Sequence, residues 1–364
     1  MRILRDYILK EFFHSFFLTL VVFTFVFLVG NIITLANYII NKGVDPLSIL
    51  KLFVCLIPWL LSFTLPIAVL TASILSFGRL SADGELIAMK ASGVSLFRVS
   101  MPILMVGVLC SFFAFFLNDQ ISPNASFASR RVIKEIGIRS PAAALEEGTF
   151  IRGFENYIIF IHEIKGNRLK NIRIYQPQEG KPTRTIVAEM GEINSMPAKN
   201  LIELKLYNGT SEEPSPTDPD SFYKLNFKTY FMSLDLSKVF KNEKIQKKTR
   251  EMTINELNAE IKNCVDQKID PTPLRVEIYK KINISIATLI FALIGIPLGV
   301  KTERSEKSIG FVLGSVLFGI YWAAFSGMIV VAATSRIPPM LAAALPNIVF
   351  FIIGLALFIW AARK

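Results

Sequence analysis

Six long apolar runs constrain this chain more than any other feature. They lie at about residues 12–40, 49–77, 99–119, 279–300, 308–333 and 338–361. Each is long enough to cross roughly 30 Å of hydrocarbon, which takes about 20 helical residues. A water-soluble chain could not hide them, since apolar residues are 52% of the 364 and charged residues only 19%, more than one core can cover. The chain is read as an α-helical membrane protein with six transmembrane helices. Between the third and fourth runs lies a polar stretch of about 155 residues, long enough to be a domain.

Short-loop Lys and Arg set the orientation. Arg2, Arg5 and Lys10, then Arg79, Lys90 and Arg98, then Lys301, Arg304 and Lys307, then Arg363 and Lys364 all fall on one side of the six runs. That side is expected to be cytoplasmic, termini included, with the large insert outside. Opposite them stand only Lys42 and Arg336 in short loops. The first run is about thirty residues long without an A-x-A cleavage site, so it is expected to remain as a span rather than leave as a signal peptide. The net charge of +11 is dispersed, with no basic block or nucleic-acid-binding signature, which argues against a nucleic-acid partner. Cys55, Cys110 and Cys264 form no disulfide framework.

Within the insert the period changes from helix to strand. In LIELKL and YKLNFK apolar residues alternate with polar ones, as in TFIRGF, NYIIFIHEI, NIRIYQP and TRTIVAEM. Turns such as EGKP and NGTSEEPSPTDPD separate them. An antiparallel, all-β, jelly-roll-like domain over about 146–236 is expected. The basic segment KVFKNEKIQKKTR follows, and then Thr253 with Glu256 three residues on predicts a capped helix leading to the fourth run. Pro58 and Pro66 are expected to bend or break the second span.

Catalytic material is sparse. His14 and His162 are the two histidines, and no metalloprotease, hydrolase or phosphate-loop motif occurs. No catalytic residue, metal ligand or cofactor is assigned. Charge at the centre of a span costs about 2.5–3.5 kcal/mol and is usually kept for ion coupling, yet these runs are almost free of it. Energy for any transport must come from elsewhere.

That argument points to RLSADGELIAMKASGVSLFR, residues 79–98, which reads as a cytoplasmic elbow between spans two and three. Ser81 or Asp83 can cap a helix running through Glu85, Leu86, Met89 and Lys90 to a stop at Gly93, roughly three turns. Leu86, Met89 and Gly93 share one face, while Asp83 and Glu85 place negative charge at the first turn. The pattern fits a lever for a nucleotide-hydrolysing partner or an interfacial helix resting on lipid. Lys42, beyond the first span, could meet an anionic head group or simply be solvated. Gly295 with Gly299, and Gly310 with Gly314, form G-x-x-x-G pairs that allow close helix approach, within the chain or at a subunit interface.

The elbow ADGELIAMKASGVS, the stretch EIYKKINISIATLIFALIGIPLGVKTERSEKSIGFVLGSVLFGIYW and the later IPPMLAAALPNIVF resemble the LptF/LptG permeases over essentially the whole chain. The resemblance implies a non-catalytic membrane subunit of the ABC transporter that extracts lipopolysaccharide from the inner membrane. Its implied partners are a homologous permease subunit, two LptB-like ATPase subunits, and LptC/LptA-like periplasmic bridge proteins that receive the lipid. Glu85 matches the coupling-helix glutamate, with Met89, Ser92 and Gly93 as its neighbours. Runs one and five match the lateral gates, making Phe27, Thr34, Phe311, Phe318 and Tyr321 candidate liners. The insert matches a periplasmic jelly roll whose edge strands can accept another strand. Where family members carry several basic residues at the outer end of the first span, Lys42 alone is in place here.

The expected organisation is then residues 1–122 with spans one to three and a coupling helix at about 81–93, residues 123–275 with the β domain and its following helix, and residues 276–364 with spans four to six. Rival readings are a mechanotransmission or efflux subunit of another ABC system and a non-transporting scaffold.

Overall fold

The computed structural model of the protein describes residues 2–40, 44–139, 148–154, 157–165, 167–178, 181–196, 201–214, 222–235, 247–301, 307–334 and 337–363. Lys42, Arg304, Arg336, Lys364 and most of the segment KVFKNEKIQKKTR lie outside the described residues. The apolar runs fold as helices because a segment in hydrocarbon must close its backbone hydrogen bonds within itself. Before the insert come α1 (Arg2–Ile40), α2 (Pro46–Ala82), the short α3 (Glu85–Ala91), α4 (Leu96–Phe116) and α5 (Ser122–Arg139). After it come α6 (Ile254–Asp266), α7 (Thr272–Lys301), α8 (Lys307–Ala333) and α9 (Pro339–Arg363). Among the described residues, six helices are long and apolar enough to cross a membrane: α1, α2, α4 with its continuation, α7, α8 and α9. The third span does not stop where its apolar run ends. A π-helical turn, Leu117–Ile121, carries it into α5.

The described chain divides into two compact units, Met1–Gly30 with Leu56–Phe127 and Lys247–Lys364, and Asn31–Cys55 with Ala128–Gln246. The first is helical and built around α2. From Thr64 to Ile74 every residue of α2 is buried, so this stretch is enclosed on all sides. Pro58 and Pro66 do not break it; α2 runs continuously through both. Small residues let neighbours approach. A Cβ on Gly295 would meet Ser73 Cβ at 2.6 Å, one on Gly299 would meet the Ile74 carbonyl oxygen at 2.6 Å, and ones on Gly310 and Gly314 would meet Leu75 and Thr71. Both glycine pairs therefore pack against α2 within this chain.

The second unit contains a sheet of strands β1 (Phe150–Phe154), β2 (Tyr157–Lys165), β3 (Arg168–Gln178), β4 (Lys181–Met196), β5 (Leu201–Pro214) and β6 (Phe222–Asp235). The all-β insert between the third and fourth spans is present, and its strands pair antiparallel in chain order as a meander. One face carries Ile159, Ile161, Leu169, Ile172, Ile174, Leu204 and Leu206, all buried. Among the described residues this core cluster holds sheet residues alone. The stretch NGTSEEP, expected as a turn, instead completes β5, where Gly209 lies opposite Phe227 and a Cβ would strike that ring. Separately, Val44, Ile49, Leu52 and Ile136 form a small cluster in this unit.

Candidate functional site

The elbow between α2 and α4 is held by backbone geometry at both ends. α2 continues to Ala82, and the chain turns at Gly84 in the left-handed region (φ +71°), so α3 starts from a glycine with no side-chain cap. Neither Ser81 nor Asp83 caps it, contrary to the expectation from sequence. Ser81 still belongs to α2 and donates its hydroxyl to the Val300 carbonyl at 2.9 Å; Asp83 lies 3.4 Å from Arg79. At the other end Gly93 is also left-handed (φ +81°). The Val94 N–H reaches the Met89 carbonyl and the Gly93 N–H reaches that of Lys90, a double closure that stops the helix after two turns rather than three. Ser92 donates back to the Ala88 carbonyl.

Side chains then pin α3 to the spans. Leu86 is 3% exposed, in a core with Ile8, Phe12, Leu96 and Phe358, and Met89 packs on its edge. The Tyr7 hydroxyl donates to Glu85 Oε1 at 2.8 Å, tying the elbow to α1. Lys90 Nζ donates to the Ala361 carbonyl of α9 at 3.1 Å. Arg79 pairs with Glu11 as well as with Asp83. The face turned away from the spans carries Asp83, Ile87, Ala88, Ala91 and Ser92, with Ile87 70% exposed. The i, i+3, i+7 pattern marks the apolar face that packs inward and gives no sign of Ile87, the one large apolar side chain among the exposed residues of the outward face.

At the far end of the spans sits polar chemistry that the sequence reading missed. Asp119, in the π-turn, and Lys281, in α7, are both buried, with Lys281 Nζ 4.0 Å from Asp119 Oδ1. Asp119 Oδ1 also accepts from the Ile254 N–H at the start of α6, and Lys281 donates to the Met252 carbonyl. Asp119 thus supplements the capping box of Thr253 and Glu256, which forms as expected. Partial burial pushes the Glu256 carboxyl up, but Lys247 at 2.6 Å and the Thr253 N–H outweigh it and hold it below the usual carboxylate range. Within the spans, Tyr321 donates to Asn347 Oδ1 at 3.0 Å, and Asn347 Nδ2 donates to the carbonyl and Oδ1 of Asn283. Three spans, α7, α8 and α9, are joined by this chain of amides.

The candidate gate residues separate. Phe318 and Tyr321 are core residues, ringed by Phe291, Trp322 and Phe350. Phe311 meets Phe23 of α1 at 5.8 Å between ring centroids, which brings spans one and five into contact. Phe27 is on the open side of α1, 39% exposed. The side chain of Thr34 and all of Lys42 lie outside the described residues. Spans one and five are the least covered by their own chain: 17% and 22% of their most apolar windows are buried, against 72% for span four.

The sequence matches the family model of the lipopolysaccharide export system permeases LptF/LptG over residues 6–360. The chain belongs to the LptF/LptG family. It is similar to an uncharacterized protein of Rickettsia prowazekii (strain Madrid E), 24% identical over 168 residues, 46% of this chain and 47% of that protein. The chain thus spans about half the length of the curated relative it matches. Membership and the six apolar helices together make this a multi-pass inner-membrane protein.

Proposed function

We propose that this chain is the permease subunit of an ABC-type lipopolysaccharide exporter. It pairs with a homologous six-span subunit and two LptB-like ATPase subunits, and passes lipid to an LptC/LptA-like periplasmic bridge. The observation that carries this reading is the family match over residues 6–360. The α3 elbow supports it: its inward face is locked to spans one and six, the end of α2 beside it is tied to span four through Ser81, and the outward face of the elbow presents Asp83, Ile87 and Ala91 to a partner. Movement imposed on α3 would be passed to α1 through Glu85 and Tyr7. The basic short loops support an orientation with α3 and both termini in the cytoplasm and the sheet in the periplasm.

On this reading spans one and five form the lateral gate, with the Phe23–Phe311 contact at its closed seam and Phe27 on the partly exposed face of α1. Asp83, Glu85 and Ser92 act at the ATPase-facing elbow; Leu86, Met89 and Gly93 keep it rigid. The subunit itself catalyses nothing, and hydrolysis belongs to the partner. A four-span efflux subunit places its outer domain after the first span, whereas here the sheet follows the third.

Purification of the full chain in mild detergent tests the proposal. The expected co-purifying species are a second six-span chain, an ATPase and a bound glycolipid. Recovery of the chain with none of them, from membranes that contain all three, would overturn it.

A further inference from the structure

A groove of about 470 Å³ opens between the first turns of α1 and α4, beside the elbow and outside the gate. Its rim carries Arg2 and Arg5 from α1 and Arg98 from α4, and its floor includes Ile8, Met101 and Met105. We propose that this groove binds one anionic glycerophospholipid of the membrane leaflet on the elbow side.

The arrangement of charge along the helices carries the argument. On α4, Arg98, Met101 and Met105 fall on one face at i, i+3 and i+7, so the floor extends about 10 Å along the axis from the guanidinium. On α1 the order is the same, with Arg5 at the rim and Ile8, 1% exposed, one turn deeper. Two helices thus present cations at one level and apolar surface below it, the profile of a phosphate head group above acyl chains. Asp6 is the acid beside the rim, and it pairs with Arg5 at 2.8 Å. Arg2 and Arg98 are exposed, and no acidic side chain lies within ion-pair distance of either among the described residues. The groove is also bordered by two helix N-termini, whose positive dipole ends favour an anion. A free anion would need the rim alone, and a docked protein would leave the exposed Met101 and Met105 at lipid depth uncovered. The inference requires only that the chain spans a membrane, and stands apart from the transport reading.

The test is native mass spectrometry of the full chain as purified in detergent, titrated with phosphatidylglycerol, with phosphatidylcholine of the same acyl chains, and with inorganic phosphate. Retention of phosphatidylglycerol roughly tenfold or more above phosphatidylcholine is expected, unaffected by millimolar phosphate. Arg2→Gln and Arg98→Gln should each lower that retention about fivefold. Met105→Trp, which fills the floor and leaves the charges, should lower it as well; Arg2 and Met105 are exposed, so these two variants carry the test even if Arg98→Gln misfolds. Equal retention of the two lipids, displacement by phosphate, or a double arginine variant that keeps phosphatidylglycerol would each overturn the proposal.

Discussion

The hydroxyl of Tyr7 in the first span and the carboxylate of Glu85 at the start of the elbow helix are joined by a hydrogen bond of 2.8 Å. The two residues are 78 positions apart in sequence, and the bond connects the element proposed to receive force with a span proposed to gate. Tyr7→Phe removes the bond and little else. Because the pair is exposed, the loss in stability should be at most about 1 kcal/mol. Co-purification with the ATPase and its hydrolysis rate should persist, while lipid released per ATP in proteoliposomes should fall several-fold. Unchanged release per ATP would mean that force reaches α1 by another route.

The two faces of α3 predict opposite phenotypes for adjacent residues. Leu86 is 3% exposed and Ile87 70% exposed. Leu86→Asp buries an unpaired carboxylate in the core with Ile8 and Phe12, so it should lower the melting temperature and the yield of folded chain. Ile87→Asp should leave both unchanged and weaken ATPase association, read as loss of the partner on size-exclusion chromatography. If Ile87→Asp keeps full association, the partner grips elsewhere.

The contrast between these two residues also marks what could be read from sequence. The spans were legible because lipid imposes a minimum apolar length, and the six strands because period-2 alternation survives in a half-buried sheet. Gly93 was legible as a stop because a left-handed residue suits glycine. The start of α3 was not: Ser81 and Asp83 are good caps in isolation, but α2 extends through Ser81, whose hydroxyl goes to the Val300 carbonyl, and the turn falls at Gly84. Asp119 and Lys281 fall at the end of the third apolar run and the start of the fourth. Their pairing across 162 positions depends on the π-turn that directs Asp119 inward, for which periodicity gives no signal. Ile87 was overlooked because a lone apolar residue on a short helix has no pattern until its neighbours are placed.

Close packing around α2 should make small changes costly at some glycines and harmless at others. A Cβ on Gly299 would lie 2.6 Å from the Ile74 carbonyl oxygen and 2.8 Å from Phe77 Cβ, neither of which can move without shifting a helix. Gly299→Val should therefore cost about 1–3 kcal/mol as overpacking, seen as a lower melting temperature in detergent. Around Gly327 nothing lies within 4 Å of the added atom. Gly327→Ala should be neutral or slightly stabilising, since alanine favours helix by up to about 1 kcal/mol. Equal losses at both positions would show that proximity to α2 does not govern the effect.

Asp119 and Lys281 should behave as one unit. Each is buried, so removing either partner leaves an uncompensated charge, at a cost of about 3–5 kcal/mol. Lys281→Met strands the carboxylate, though the Ile254 N–H still supports it. Asp119→Ala strands the ammonium and also strips the first turn of α6 of an acceptor, so it should be the worse of the two. The double variant removes both charges and should recover much of the loss, because a buried pair replaced by apolar groups is often close to neutral. Melting temperatures of the three variants in one detergent give the coupling energy directly. A double variant as unstable as the sum of the singles would mean that the two residues act separately, Asp119 as a cap for α6 and Lys281 as a donor to Met252. A recovered double variant with normal stability and impaired lipid release would instead assign the pair a part in motion between the third span and α6.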